Sequence, residues 1–457
     1  MMFKAVLDRF AHKSPVTVMA RMSIERALAP KAVDALFEKH AEHQYTKELL
    51  FSSLVDLMGL VVCNVHPKVS AAYKAVEDTL PVSLSAVYEK LKGVERNVLS
   101  ALVQHTSAEL SPVIAAMKVR QNPWLAGYRV RIVDGNHLAS TERRIEVLRA
   151  SKAGPLPGLA LVVFDPQRSL VTEMIPCEDG HAQERSLFDE LLALVGERDV
   201  WIADRNFCTL GLLVGVLSRK AHFAIRQHAN LPITSSGTVH RRGRCSTGEV
   251  TEQKVTITGA DGEARTLRRI TIKLDTPTRD GDTEMSILTS LPAEFADAIA
   301  VANLYQKRWT IETAFQKIDQ TLQGELSTLG YPKAALFGFA VALCAYNVYS
   351  TVQAALESHF GEDLVREEIS GYYIAEEIRT VHGGMDVALD EKVWVRYRAM
   401  SAEQLATELI AIAAHVNFKR FQKKKRGPKK PVTKRTEHAD TPHVSTARLL
   451  TRQGGST

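Results

Sequence analysis

The stretches 128-YRVRIVDGNH-137, 159-LALVVF-164 and 169-SLVTEMI-175 decide the fold. Tyr128 to Val133 alternates and is rich in β-branched residues, as strands are, and it ends in the turn-like Asp134-Gly135-Asn136-His137. Leu159 to Phe164 is a continuous apolar run, the pattern of a strand buried on both faces. Pro155-Leu156-Pro157-Gly158 breaks the chain before it, and the short Asp165-Pro166-Gln167 turn leads to the third run. Three strands running consecutively, the last two joined by a short turn, predict an antiparallel meander.

Outward from this meander, Ala182 to Val195 reads as a helix and Val200 to Ala203 as a strand ending in Asp204-Arg205-Asn206-Phe207. Leu210 to Ser218 is a second helix, and Ala221 to Ile225 a fifth strand ending at Arg226. Three meandering strands, helix, strand, helix, strand is the ribonuclease-H-like order, an α/β fold with a mixed sheet flanked by helices. Residues 230–290 are glycine-punctuated, with exposed antiparallel strands expected at 251–258 and 266–274, so they read as a β-rich insertion. That insertion carries a basic loop containing Arg241 and Arg242. The expected organisation is a helical N-terminal region (1–120), the first part of the ribonuclease-H-like domain (121–229), the insertion (230–290), the rest of that domain (291–356), a helical region (357–416) and a tail (417–457). For residues 1–120 two readings stand, a DNA-binding or dimerisation module and plain helical packing.

Glu294 to Leu322 reads as one long helical run. Within it, Leu304, Ile311, Phe315, Ile318 and Leu322 recur at steps of three and four, giving one buried stripe. Tyr305, Arg308, Glu312 and Asp319 fall within about 60° of one another beside it. Alone, Arg308 and Glu312 form an ordinary i,i+4 pair. Together with Asp134 and Asp204, each ending a strand expected to neighbour the other, Glu312 becomes the third member of a carboxylate cluster. Converging carboxylates raise one another's pKa, and a divalent cation removes that cost. Two Mg²⁺ ions held by oxygen ligands suit the in-line displacement of a phosphodiester.

Composition is that of an ordinary globular protein: 457 residues, 45% hydrophobic, 24% charged, net charge +6. Five scattered cysteines without a CxxC indicate neither a zinc site nor a disulfide framework and fit a reducing cytoplasm. The N-terminus lacks the apolar core of a secretory signal. Ala334 to Leu356 is apolar over the length of a bilayer span, but its alanines, Asn347 and Gln353 suit a helix buried within protein, and no membrane association is expected. The positive excess is concentrated after residue 417, where Lys423, Lys424, Lys425 and Arg426 lie in a run free of acids, interrupted by Gly427-Pro428 and Pro431. That run reads as a disordered phosphate-seeking arm or as a solvated tail.

Tyr305, Arg308 and Glu312, spaced Tyr-x-x-Arg-x-x-x-Glu, resemble the YREK signature of bacterial insertion-sequence DDE transposases. Asp134 in IVDGNH and Asp204 in ADRNF are similar to that family's two aspartates, and a β insertion before the glutamate helix is likewise a family feature. The resemblance implies cut-and-paste transposition through a hairpin intermediate, with Asp134, Asp204 and Glu312 holding two Mg²⁺ or Mn²⁺ ions. It further implies a homodimeric synaptic complex on double-stranded DNA, at terminal inverted repeats and target, in the bacterial nucleoid. Tyr305, Arg308, Trp309, Arg226, Arg241, Arg242 and the basic run would contact DNA, with a flipped base or plain core packing as the two readings for Trp309. The sequence departs from the signature at its lysine, whose position holds Asp319; Lys317 points about 140° round the helix from Glu312. The competing readings are a ribonuclease-H-like nuclease that cuts without joining and a non-catalytic DNA-binding derivative.

Overall fold

The computed structural model describes residues 2–44, 48–138, 145–150, 153–278, 281–424 and 442–454, without the side chains of 2–4, 319, 453 and 454. Its strands are β1 (Arg129–Leu138), β2 (Gly154–Leu156), β3 (Gly158–Asp165), β4 (Leu170–Cys177), β5 (Asp199–Ala203), β6 (His222–Arg226), β7 (Thr234–Ser235), β8 (His240–Cys245), β9 (Gly248–Thr258), β10 (Ala264–Leu274), β11 (Glu284–Thr289) and β12 (His443–Ser445). Ten of them form one mixed sheet in the order β4-β3-β1-β5-β6-β11-β10-β9-β7, with β8 also on β9. The meander β1-β3-β4 is antiparallel, and β1, β5 and β6 run parallel. Helices flank this sheet.

β1 does not stop at Val133. Its parallel ladder to β5 ends at Ile132↔Ile202, but its antiparallel ladder to β3 continues to Leu138↔Gly158. Cross-strand pairing with the buried β3 overrides the turn preference of Asp-Gly-Asn. Asp134 therefore lies inside a strand, paired with Val162. The expected Ala182–Val195 helix is shorter: a 3-10 turn at Glu184–Leu187 followed by Phe188–Ala193.

The β-rich segment is an extension of the main sheet. β11 pairs antiparallel with β6, and β10, β9, β7 and β8 continue outward. β9 and β10, expected to be exposed, bury alternate side chains. Val250, Ile270 and Ile272 join the core cluster that includes Ala298, Val301 and Leu304 of the Ala298–Gln306 helix. Val255, Ile257 and Leu267 are buried on the other face.

The N-terminal helices wrap the Pro332–Phe360 helix. This long apolar element packs against Pro15–Ala27, Phe51–Val62, Leu84–Gly93, Arg96–Ala116 and β4. Over its most apolar window it is 94% buried, which is how a core helix presents bilayer-length hydrophobicity. Asn347, fully buried on it, accepts the Val171 N–H through Oδ1 at 2.8 Å and donates to the Val171 carbonyl through Nδ2 at 2.8 Å. A side-chain amide thus does for the outer edge of β4 what another strand would do.

The chain beyond residue 417 differs from the expected free tail at both of its described ends. Phe421 O accepts from Ser370 N–H at 2.8 Å, and Lys423 N–H donates to Glu368 O at 2.7 Å. At the far end β12 pairs parallel with β2, burying Ser445 and Thr446, and Arg448 Nε reaches Asp179 Oδ2 at 2.7 Å. Lys425 and Arg426 lie outside the described residues.

Candidate active site

The site is built on the parallel pair β1/β5. Their ladder ends at Ile132↔Ile202, and continuing that register by two residues sets Asp134 level with Asp204. Asp204 is the first residue past β5 and caps the Arg205–Phe207 turn, its Oδ1 accepting the Asn206 N–H at 2.7 Å. An aspartate is suited to that place because its short carboxylate satisfies an otherwise orphan N–H.

Glu312 comes from a different direction. The expected continuous 294–322 helix is two helices, Ala298–Gln306 and Trp309–Thr321. Between them the bonds shorten to i→i+3: Lys307 N to Leu304 O at 3.2 Å, Arg308 N to Tyr305 O at 2.9 Å, Thr310 N to Lys307 O at 3.0 Å and Ile311 N to Arg308 O at 3.2 Å. The chain tightens to 3-10 geometry where the sequence pattern runs on unbroken. The apolar stripe survives this: Leu304, Ile311, Ile318 and Leu322 are buried and Phe315 packs against them.

Arg308 stands between the carboxylates. Its Nη2 donates to Glu312 Oε1 at 2.5 Å and its Nη1 to Asp134 Oδ2 at 3.4 Å, with only 12% of the side chain exposed. Tyr305 is buried beneath it and hydrogen-bonded to it, and burial raises the phenol to about 12. Tyr305 thus holds Arg308 instead of offering its ring to solvent. Trp309, beside them, is 55% exposed, so it is not part of the core.

A fourth carboxylate, Glu184, adjoins this group and was not singled out by the sequence. It hydrogen-bonds the Asn206 side chain, and a Cβ on Gly135 would lie 2.0 Å from its Oε1. Glycine at 135 leaves it room where it stands; a larger residue would displace the Glu184 side chain. The signal was available in Asp134-Gly135: within a strand, a glycine marks close approach by another group. Burial, then the charges of Asp204 and Glu312, raise Asp134 to about 6, against the lowering effect of Arg308. Burial, then Asp204 and Asp134, raise Glu184 to about 7.

An all-oxygen, partly buried, electrostatically crowded donor set fits a hard divalent cation. Among the described residues, the trio of possible ligands drawn within 4.8 Å of one another is elsewhere, at Glu42, His43 and Glu95. Glu95 is already accepting the backbone N–H groups of Glu42, His43 and Gln44 there.

The other expected DNA contacts are spread out. Arg226 ends β6 and pairs with Asp282. Arg241 and Arg242 lie on β8 as a strand, paired with Glu249 and Glu252 respectively. Lys423 and Lys424 are at the described root of the basic run, on the far side of the Glu312 helix from the apolar stripe. Asp319 is on the Trp309–Thr321 helix, but its side chain lies outside the described residues.

Among solved structures, the chain has a likeness to the piggyBac transposase synaptic complex with hairpin DNA, at 10% identity, covering 95% of this chain and 88% of that one, with a TM-score of 0.38. A score that low carries no argument. Among curated proteins it is similar to "Putative transposase y4zB" of Sinorhizobium fredii (strain NBRC 101917 / NGR234), 27% identical over 183 residues, which is 38% of this chain. The chain spans about half the length of that relative, 48%. Residues 125–348, just under half of the chain and holding Asp134, Glu184, Asp204 and Glu312, match the family described as "Transposase DDE domain".

Proposed function

We propose that this chain is a DNA transposase of the YREK type, with a ribonuclease-H-like catalytic domain that cleaves DNA at the terminal inverted repeats of an insertion sequence and transfers the freed ends. The observation that supports the reading is the register: the β1/β5 ladder, continued two residues past Ile132↔Ile202, brings Asp134 of β1 level with Asp204 just beyond β5, and Arg308 ties Glu312 to Asp134. Asp134, Asp204 and Glu312 would hold two divalent cations, Mg²⁺ or Mn²⁺. When bound, those ions stabilise the attacking and leaving oxygens of an in-line displacement.

The chain's own residues orient that chemistry. Tyr305 fixes Arg308 from below, and Arg308 holds the Glu312 carboxylate toward β1. The planar fork of the Arg308 guanidinium would also suit a DNA phosphate. Glu184, pressed on Gly135, supports Asp204 through Asn206. Trp309, exposed beside Arg308, offers a stacking face to a base. Arg226, Arg241, Arg242 and the basic run Lys423 to Arg426 would follow the DNA backbone away from the site. A homodimer pairing two DNA ends and a hairpin intermediate complete the proposal.

The test uses DNA flanking the gene as substrate. Asp134→Asn, Asp204→Asn and Glu312→Gln are each expected to abolish Mg²⁺-dependent cleavage while DNA binding persists. Near-normal cleavage by any of them removes that residue from the site. Cleavage without end joining by the parent protein would favour the nuclease reading.

A further inference from the structure

A cavity of about 850 Å³ opens along the Trp309–Thr321 helix, away from the carboxylates. Four separate parts of the chain wall it: that helix, Tyr349 and Gln353 of the Pro332–Phe360 helix, the 365–373 segment, and the start of the basic run at Lys423 and Lys424. Four cationic side chains line it, Lys317, Arg366 (paired with Glu362), Lys423 and Lys424, and among the described side chains no carboxylate does. Gln316, also in the wall, is four residues beyond Glu312, about 6 Å along the helix. Tyr372, 57% exposed, sits on the rim edge-on to Tyr373, and Lys424 lies over the Tyr373 ring at 5.6 Å.

The lysines are held in place. Lys423 Nζ donates to the carbonyls of Arg366 and Glu367 at 2.9 and 2.8 Å. Lys317 Nζ lies 3.5 Å from Gln353 Oε1, and burial together with Arg120, Lys423 and Arg366 lowers it to about 8, against the raising effect of Glu357. Positive charges drawn this close repel one another, and an anionic ligand relieves that repulsion. Size, charge and an exposed ring together match a polyanion whose units also have flat faces.

We infer that this cavity binds one strand of DNA leaving the carboxylate site, its phosphates on Lys317, Lys423 and Lys424 and a base against Tyr372. The inference rests on the transposase reading for the identity of the polyanion. It also gives the basic run a defined function at its root, beyond general attraction to DNA.

The experiment measures affinity of the full-length protein, by fluorescence anisotropy over a salt series, for a short duplex with a single-stranded 3′ extension and for the same duplex blunt-ended. Lys423→Gln/Lys424→Gln, both exposed, should flatten the salt dependence for the extended duplex by about 1.4 in slope more than for the blunt one, at ~0.7 for each single-strand phosphate left without its lysine. Tyr372→Ala should weaken the extended duplex alone, by roughly five- to a hundredfold. Parent slopes in the double variant, or equal losses on both probes, overturn the cavity while leaving the transposase reading intact. A selective loss in a protein that shows no Mg²⁺-dependent cleavage supports the cavity and overturns the transposase reading instead. Failure of the parent to bind either probe overturns the cavity outright.

Discussion

Asp134→Asn should make the metal-free protein more stable. Asp134 is 17% exposed, and its surroundings raise it from 3.8 to about 6. A tenfold bias toward the protonated form corresponds to ~1.4 kcal/mol, so ionisation of this group costs the fold about 3 kcal/mol at pH 8. The sign follows from proton counts. Below pH 3.8 the group is protonated in both states and costs nothing. Between pH 3.8 and about 6 the folded state keeps a proton that the unfolded chain releases, so stability falls as pH rises. Above that window the penalty is complete. Asparagine is neutral throughout, and its amide oxygen can still accept the Gly135 N–H that now reaches Asp134 Oδ1 at 3.1 Å. At ~2.1 cal/mol/K of unfolding entropy per residue, a 457-residue chain unfolding as one unit would gain about 3 °C in Tm. Differential scanning fluorimetry at pH 8 and pH 4, with EDTA and then with MgCl2, reads this directly. The variant should melt higher at pH 8 in EDTA, match the parent at pH 4, and lose its advantage when Mg²⁺ stabilises the parent. A variant that melts at or below the parent at pH 8, or a gap independent of pH, would refute the reasoning.

Glu184→Gln should lower cleavage by roughly 10–100-fold, the usual cost of losing a group that orients a metal ligand, with raised Mg²⁺ partly restoring activity; an unchanged Mg²⁺ titration would remove Glu184 from the site. Arg308→Lys should keep the fold but cut cleavage by about a hundredfold, because a point charge cannot hold two carboxylates as the guanidinium does; single-turnover cleavage at saturating DNA checks it. Asn347→Leu should cost about 2–5 kcal/mol in denaturant unfolding, since it strands the buried Val171 N–H and carbonyl. A loss under 1 kcal/mol would mean that water reaches the edge of β4.

Much of the site was legible because strand-forming runs and the helical stripe have strong periodicities. The strands β1, β3, β4, β5 and β6 lie near where the sequence placed them, with β1 running five residues further, and Arg308 and Glu312 pair on the helix face that the sequence singled out. Asp134 was placed at a strand end because Asp-Gly-Asn reads as a turn; the long pairing partner β3 is a tertiary fact that no local pattern carries. The break at Lys307 and Arg308 was hidden because both residues keep helical dihedrals while the hydrogen bonds shorten. Glu184 was missed because it lies far in sequence from its neighbours, and only the absence of a side chain at Gly135 hinted at it. Nor could composition reveal that the chain after Lys424 returns to pair with β2.

The Pro332–Phe360 helix has a consequence for biosynthesis. As it leaves the ribosome it offers the insertion machinery of a membrane a segment of suitable length and apolarity. Four of the helices that enclose it, from Pro15–Ala27 to Arg96–Ala116, and the strand β4 have by then been translated. Its docking partners therefore wait for it, and the segment most at risk of misdirection is made only after its shelter. A circular permutant that moved this helix to the start of the chain would remove that protection while keeping the same native packing.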